Sequence, residues 1–312
     1  MRTKEEVDYF YSTLLEGKIA EMETLRIKTK KSYYILFAIA ILIFIVILSI
    51  ALNREGIESL PVLLWLGIIL GTLIVGYIID LLKKNYVSKF KENIISALIH
   101  FYDPSLKYDS ERGILPKAVE ISGIFSCVDY ESDDYVEGRF GKTFIQFSEI
   151  SLKGSKGRKL FSGLFLIAEF NKYFKGEYLV LPDNYESTFG SLIGDALQKI
   201  SPLKSQMIKM ESPEFEKHFS VFGEDEIEAR YLLSPALMER MVDFKSKIGK
   251  PVYFSFARSR LFIAISAEEN LFEPSVMMPT DKSMIETWGK NIYFALSLVD
   301  DLSLNTRIWS KQ

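Results

Sequence analysis

Two long stretches of the chain carry no charge, and the rest of the hydropathy pattern is arranged around them. Ser32 to Leu52 and Ser59 to Ile79 are each 21 residues long and are joined by six residues, Asn53 to Glu58. A helix rises about 1.5 Å per residue, so either run spans roughly 30 Å, the hydrocarbon thickness of a bilayer. From Tyr33 to Leu52 the apolar residues surround the helix, with no polar face at 3.6-residue spacing. That predicts a transmembrane helix; the alternative, a buried core helix, seldom holds so long a charge-free run. A cleaved signal peptide is disfavoured because the run starts late and a second one follows. In the second run Pro61 falls in the first turn, where its missing N–H costs little. Gly67 and Gly71 form a GxxxG pair followed by Gly76, the spacing of a helix-packing seam against the first helix or a second copy. The plain alternative is that glycine is common in such helices.

The pattern outside these runs is mixed. Thr3 to Lys31 reads as one charged helix with Val7, Phe10, Tyr11, Leu14, Met22 and Leu25 on one face, either a short coiled coil or a helix folded back on a soluble domain. Phe90, Ile94, Ile95, Leu98 and Phe101 predict that the second span continues as a rigid helix until Asp103-Pro104 ends it. From Ser122 short aromatic and β-branched segments predict strands at Gly123–Tyr130, Tyr135–Gly138, Lys142–Leu152, Leu160–Asn171 and Glu177–Leu181. The loop Lys153 to Lys159 divides two of them, and Tyr185 to Pro202 reads as a connection with a short helix. Met207–Met210 is a further strand, and Phe215–Phe222 is ambiguous. Pro235–Lys247 is a helix with Ser234 as N-cap and Gly249 beyond its end. Pro251–Ala257 and Leu261–Ser266 form a hairpin, and Ile285, Trp288, Ile292, Ala295, Leu296 and Val299 mark a helix over Lys282–Asp301. Strands and helices do not alternate regularly, so the predicted class is α+β with largely antiparallel pairing.

The predicted organisation is an N-terminal cytoplasmic helix (1–31), a first transmembrane helix (32–52), an external loop (53–58) and a second transmembrane helix (59–82). A juxtamembrane helix (83–101) and a cytoplasmic α+β domain (102–312) follow, the latter divisible into 102–205 and 206–312.

Charge sets the orientation. Arg26, Lys28, Lys30 and Lys31 precede the first run, and Lys83, Lys84, Lys89 and Lys91 follow the second. The connecting loop offers Arg54 against Glu55 and Glu58. Lysine and arginine accumulate on the cytoplasmic side, which predicts a multi-pass protein of the inner (plasma) membrane with both termini in the cytoplasm. Asp80, one turn before Lys83 and Lys84, falls at headgroup depth. A net charge of −3 gives no nucleic-acid footprint. The single cysteine, Cys127, excludes an intrachain disulfide and reads as a small core residue in a strand.

Candidate chemistry is sparse. His100 and His218 have no ligand-type neighbour at metal-site spacing, so the sequence predicts no metal, no cofactor and no catalytic constellation. Gly190-Ser191-Leu192-Ile193-Gly194 lacks the lysine of a phosphate loop. Lys153, Lys156, Arg158 and Lys159 could meet anionic lipid headgroups, the alternative being a solvated hairpin tip. Glu131, Asp133, Asp134 and Glu137 read as a solvated acidic loop, with divalent-cation binding as the sharper alternative. In Glu226-Ile227-Glu228-Ala229-Arg230 the structural expectation is a buried ion pair to a strand, and the functional one is anion binding by Arg230.

Five segments in order carry a resemblance: Ser122–Phe125, Asp133–Glu149, Ser162–Lys172, Phe219–Arg240 and Leu302–Lys311. Together they resemble the bacterial "domain of unknown function 3137" family, similar also in its charged N-terminal helix, two spans and soluble domain. Glu224-Asp225-Glu226 departs from the Asp-Gln expected before Glu-Ala-Arg. The resemblance implies layout and no activity. Genes of the family often neighbour those of LemA-like membrane proteins, which implies such a protein as partner, with self-association as the other option. The function expected is a non-enzymatic module presented at the membrane for protein or lipid contact. The alternatives are a membrane-tethered enzyme using scattered acids such as Asp133, Asp134 and Glu228, or a small-molecule or lipid sensor with an apolar pocket.

Overall fold

The computed structural model describes residues 4–52, 60–125, 129–154, 159–183, 206–267 and 270–304. The loop Asn53 to Glu58, Cys127, Lys156, Arg158 and the connection Tyr185 to Pro202 lie outside the described residues. The chain divides into two compact units, one made of Arg2–Ala97 with Glu273–Ile285, the other of Leu98–Phe272 with Glu286–Gln312.

The first unit is built on the apolar runs. α1 (Lys4–Phe10) passes through a π-turn, Tyr11–Leu15, into α2 (Glu16–Leu52), so the charged helix and the first apolar run form one continuous helix. α3 (Leu60–Phe90) likewise continues through a π-turn, Lys91–Ile95, into α4 (Ser96–Tyr102). The second run therefore continues as helix to Tyr102, and it stops before Asp103 as the following proline requires. Both helices are long and apolar enough to cross a membrane by length and composition. The Tyr33 hydroxyl donates to the Ile79 carbonyl at 3.3 Å, and the Lys18 ammonium to the Asn93 carbonyl at 3.4 Å, so α2 runs beside α3 and its extension.

The second unit is an antiparallel sheet with helices on both faces. Its strands are β1 (Lys107–Asp109), β2 (Asp129–Phe140), β3 (Thr143–Lys153), β4 (Lys159–Glu169) and β5 (Tyr178–Pro182). β6 (Met207–Ile208), β7 (Phe219–Phe222), β8 (Val252–Ala257) and β9 (Arg260–Ser266) complete it. The spatial order is β1-β2-β3-β4-β9-β8-β5-β7-β6, and each neighbouring pair is antiparallel. Because β4 pairs with β9 and β5 with β7 and β8, residues 102–205 and 206–312 share one sheet and are not two subdomains.

Helices account for the burial of both faces. α5 (Pro116–Ser122) covers one face, where Val119, Ile124 and Phe125 pack with Phe161, Phe165, Leu181, Tyr253 and Phe262. The sequence reading has no helix here, although Pro116 in the first turn and Gly123 at φ 65° are a start and a stop signal. The strand expected from Gly123 accordingly begins at Asp129, and Tyr135–Gly138 is the middle of β2. α6 (Pro213–Glu216), α7 (Glu226–Leu232), α8 (Pro235–Ile248) and α9 (Lys282–Asp301) are the other helices of the described chain's last third. On the opposite face Phe254 meets Phe244 of α8 at 6.5 Å and Phe219 at 5.7 Å, and Phe244 stacks on Phe294 of α9 at 5.5 Å. β8 is thus buried along its whole length, and the Ser255 hydroxyl on the α5 side donates to the Ser122 carbonyl. Gly163, at φ 150°, lets β4 approach β9; a Cβ there would sit 2.1 Å from the Ile265 carbonyl oxygen.

Candidate functional site

The acids predicted to form a solvated loop lie in a strand instead. β2 carries a bulge between Asp133 and Val136, where the register against β3 shifts and Asp134 adopts φ 56°. The bulge turns Asp134 inward, leaving it 1% exposed, and the Tyr108 hydroxyl donates to it. One carboxylate oxygen each from Asp133, Asp134 and Glu149 lie within 4.8 Å of one another. That spacing suits oxygen ligands around one divalent cation, which bind at about 2.0–2.6 Å from the ion. Glu149 Oε2 also accepts the Leu271 amide at 2.8 Å, so one face of the trio ties β3 to the segment after β9. Burial and then the Asp134 charge push the Tyr108 hydroxyl far above its ordinary range, keeping it a neutral donor. Glu131 and Glu137 are engaged elsewhere, with Lys153 at 2.7 Å and the Tyr135 hydroxyl at 2.8 Å.

Glu228 belongs to a different place. Asp225 caps α7 by accepting the amides of Ile227 and Glu228, which fixes the first turn and aims Glu228 at the start of β5. There its carboxylate accepts the Lys175 amide at 2.9 Å, the Gly176 amide at 2.8 Å and the Tyr178 hydroxyl at 2.7 Å. Burial alone would raise its pKa, but the Tyr178 hydroxyl and the two amides outweigh that and hold it below the usual glutamate range. Gly176 leaves room for this clamp, since a Cβ there would lie 2.9 Å from Glu228 Oε2. β2 and β5 are separated in the sheet by β3, β4, β9 and β8, about 24 Å at ~4.8 Å per strand. Asp133, Asp134 and Glu228 therefore do not assemble into one site. Arg230 does not pair with a strand carboxylate either; it bonds Glu226 one turn away on the exposed face of α7.

The cationic candidates divide similarly. Lys153, expected to meet lipid, has its ammonium on Glu131, while Lys159 is exposed. A second cationic group surrounds a cavity of about 440 Å³ lined by Asp183, Lys217, His218, Lys245 and Lys250. Lys245 lies over the Phe219 ring at 4.7 Å and donates to the His218 carbonyl, and burial lowers its pKa. This cavity is charged, unlike the apolar pocket a lipid sensor would need.

The helical unit gathers the largest exposed apolar surface. Side chains from Tyr34 to Leu48 and from Trp65 to Leu81 point outward around most of both helices. Among the described residues, a Cβ at Gly67 or Gly71 would have no atom within 4 Å. At the charged end of the apolar runs, the segment Glu273–Ile285 lies along the helices. Glu273 pairs with Lys83 at 3.2 Å and Lys91 at 3.6 Å, and Arg26 donates to the Val276 carbonyl at 2.9 Å. The sequence gives little sign of this strap, because its anchors are mostly backbone carbonyls, which no residue pattern marks.

Residues 159–304 match the model of a family described as Protein of unknown function (DUF3137). The matched segment is similar to that family and covers a little under half of the chain. It opens at β4 and closes after α9, so the matched region includes the Glu228 clamp and the strap, while the apolar helices and the acidic trio on β2 and β3 precede it. No curated protein matches the chain. Among solved structures, the mycobacterial trehalose monomycolate transport factor A, TtfA, aligns at 9% identity and a TM-score of 0.34. That alignment covers 68% of this chain and 96% of the other, a likeness too distant to carry fold or function.

Proposed function

We propose that the chain is an integral membrane protein whose helical hairpin holds a DUF3137-containing α+β module at the cytoplasmic face of the inner membrane. There the module serves as a contact surface for a protein or for lipid. The observation that carries the reading is the apolar belt: two helices longer than a bilayer is thick expose isoleucine, leucine, valine and phenylalanine on nearly every side. In water such a surface would be far larger than the few hundred Å² a soluble monomer exposes. Lysine and arginine at the charged end, and their scarcity between the runs, support cytoplasmic termini. A partner of LemA-like type and self-association both remain within this proposal.

Alkaline phosphatase and green fluorescent protein fusions after Gln312, together with alkaline carbonate extraction, test it. The expected result is a fluorescent, phosphatase-silent fusion that stays in the pellet. A phosphatase-active fusion, or a chain released by carbonate, would overturn the topology and the tethering together.

A further inference from the structure

The strap holds two exposed methionines at a defined height on the helices. Arg26, itself 6% exposed, donates to the Val276 carbonyl at 2.9 Å while also bonding Glu23 through two nitrogens at 2.7 Å. Four residues further up the same helix, Lys30 donates to the Met277 carbonyl at 3.2 Å. Two consecutive strap carbonyls are therefore held from two consecutive turns of the helix, the second nearer the apolar run. Lys30 lies two residues, about 3 Å, from Ser32, where that run begins. At the top Ser275 Oγ accepts the amides of Met277 and Met278, at 3.2 and 3.1 Å, closing a tight turn. Met277 is 49% and Met278 68% exposed, whereas Val276 before them is buried. On the other helix, Glu273 anchors the foot of the turn to Lys83 and Lys91.

We propose that the Met277–Met278 turn is a membrane-interface wedge, inserted at the boundary between anionic headgroups and acyl chains beside the hairpin. Methionine is unbranched and adaptable, suited to irregular acyl packing. Lys30 holds the turn itself, and Lys28 and Lys31 beside it in the sequence are exposed, a positive charge that matches anionic phospholipid. Anchoring by backbone carbonyls leaves both side chains free to enter the lipid. The wedge rests on the membrane reading above, and the test separates the two.

The full chain carrying Cys127→Ala is labelled with an environment-sensitive fluorophore at one of three positions and placed in nanodiscs of phosphatidylglycerol and phosphatidylcholine. Ile41→Cys reports on the apolar run, Met278→Cys on the wedge and Glu16→Cys on a position about 24 Å below Ser32. Quenchers are attached high on the acyl chain of one lipid fraction and near the chain end of another, so that both the interface and the bilayer centre are read. Quenching at Met278→Cys at least half as deep as at Ile41→Cys, with none at Glu16→Cys, is the expected result. Quenching at Ile41→Cys alone overturns the wedge and leaves the hairpin standing. No quenching at Ile41→Cys overturns both.

Discussion

Glu228 ties the capped start of α7 to the chain entering β5, and removing it has a calculable effect. In Glu228→Ala the Tyr178 hydroxyl, on a side chain that is otherwise buried, and the Gly176 amide lose their acceptor, while the Lys175 amide lies nearer to water. A buried donor left without an acceptor costs about 1–3 kcal/mol, and a part-exposed one less, so the substitution should destabilise by about 2–4 kcal/mol. For a domain of this size that corresponds to a fall of roughly 5–15 °C in Tm, read by differential scanning fluorimetry of the detergent-solubilised full chain. The pH dependence gives a second check. The folded-state pKa of Glu228 lies below its ordinary value of 4.5. Its contribution is therefore complete above that value and is lost as pH falls through the folded-state pKa. The gap between wild type and Glu228→Ala should be full at pH 7 and narrow only in acid below pH 4.5. A change under about 0.5 kcal/mol at neutral pH would show that water replaces the carboxylate at no cost and would refute the clamp.

Two further outcomes follow from packing. Phe254→Ala opens a cavity between α8 and the sheet, where Phe219 and Phe244 lose their shared partner, and should cost about 3–5 kcal/mol by the same thermal assay. Gly67→Ala with Gly71→Ala meets open space and adds helix propensity of up to ~1 kcal/mol per site, so Tm should hold or rise; a fall would reveal packing that the described chain lacks.

What the sequence disclosed depended on whether a pattern had a simple period. The apolar runs were legible because they contain no charge, and α9 because one stripe repeats every three to four residues over its length. β3 and β4 were placed to within a residue or two by their aromatic and β-branched content. α5 was missed because the aromatic texture after it dominated, although Pro116 and Gly123 mark both its ends. α7 was missed because Glu226 to Arg230 was weighed only for ion pairing and anion binding, whereas Asp225 before it is a helix cap. Asp134 was misread for a deeper reason. A buried acid needs donors, and its donor, Tyr108, comes from β1, which only the folded sheet brings beside the bulge.

The strap changes how the basic residues should be weighed. Arg26, Lys30, Lys83 and Lys91 all count towards cytoplasmic orientation on the membrane reading, yet each also holds Glu273–Met277 in place. Lys91 is 3% exposed, and a cation buried to that degree is tolerable only with Glu273 or a comparable partner beside it. Orientation alone would be served by any basic residue at these positions, because it depends on charge count and not on reach. The strap needs the forked guanidinium of Arg26, which bonds Glu23 and Val276 at once. Lys28, Lys31 and Lys89 are exposed, and none of the described strap bonds uses them. The basic residues thus fall into two groups with separable consequences. Neutralising the second group should leave the strap intact, whereas neutralising the first should release Glu273–Met277 from α2 and α3.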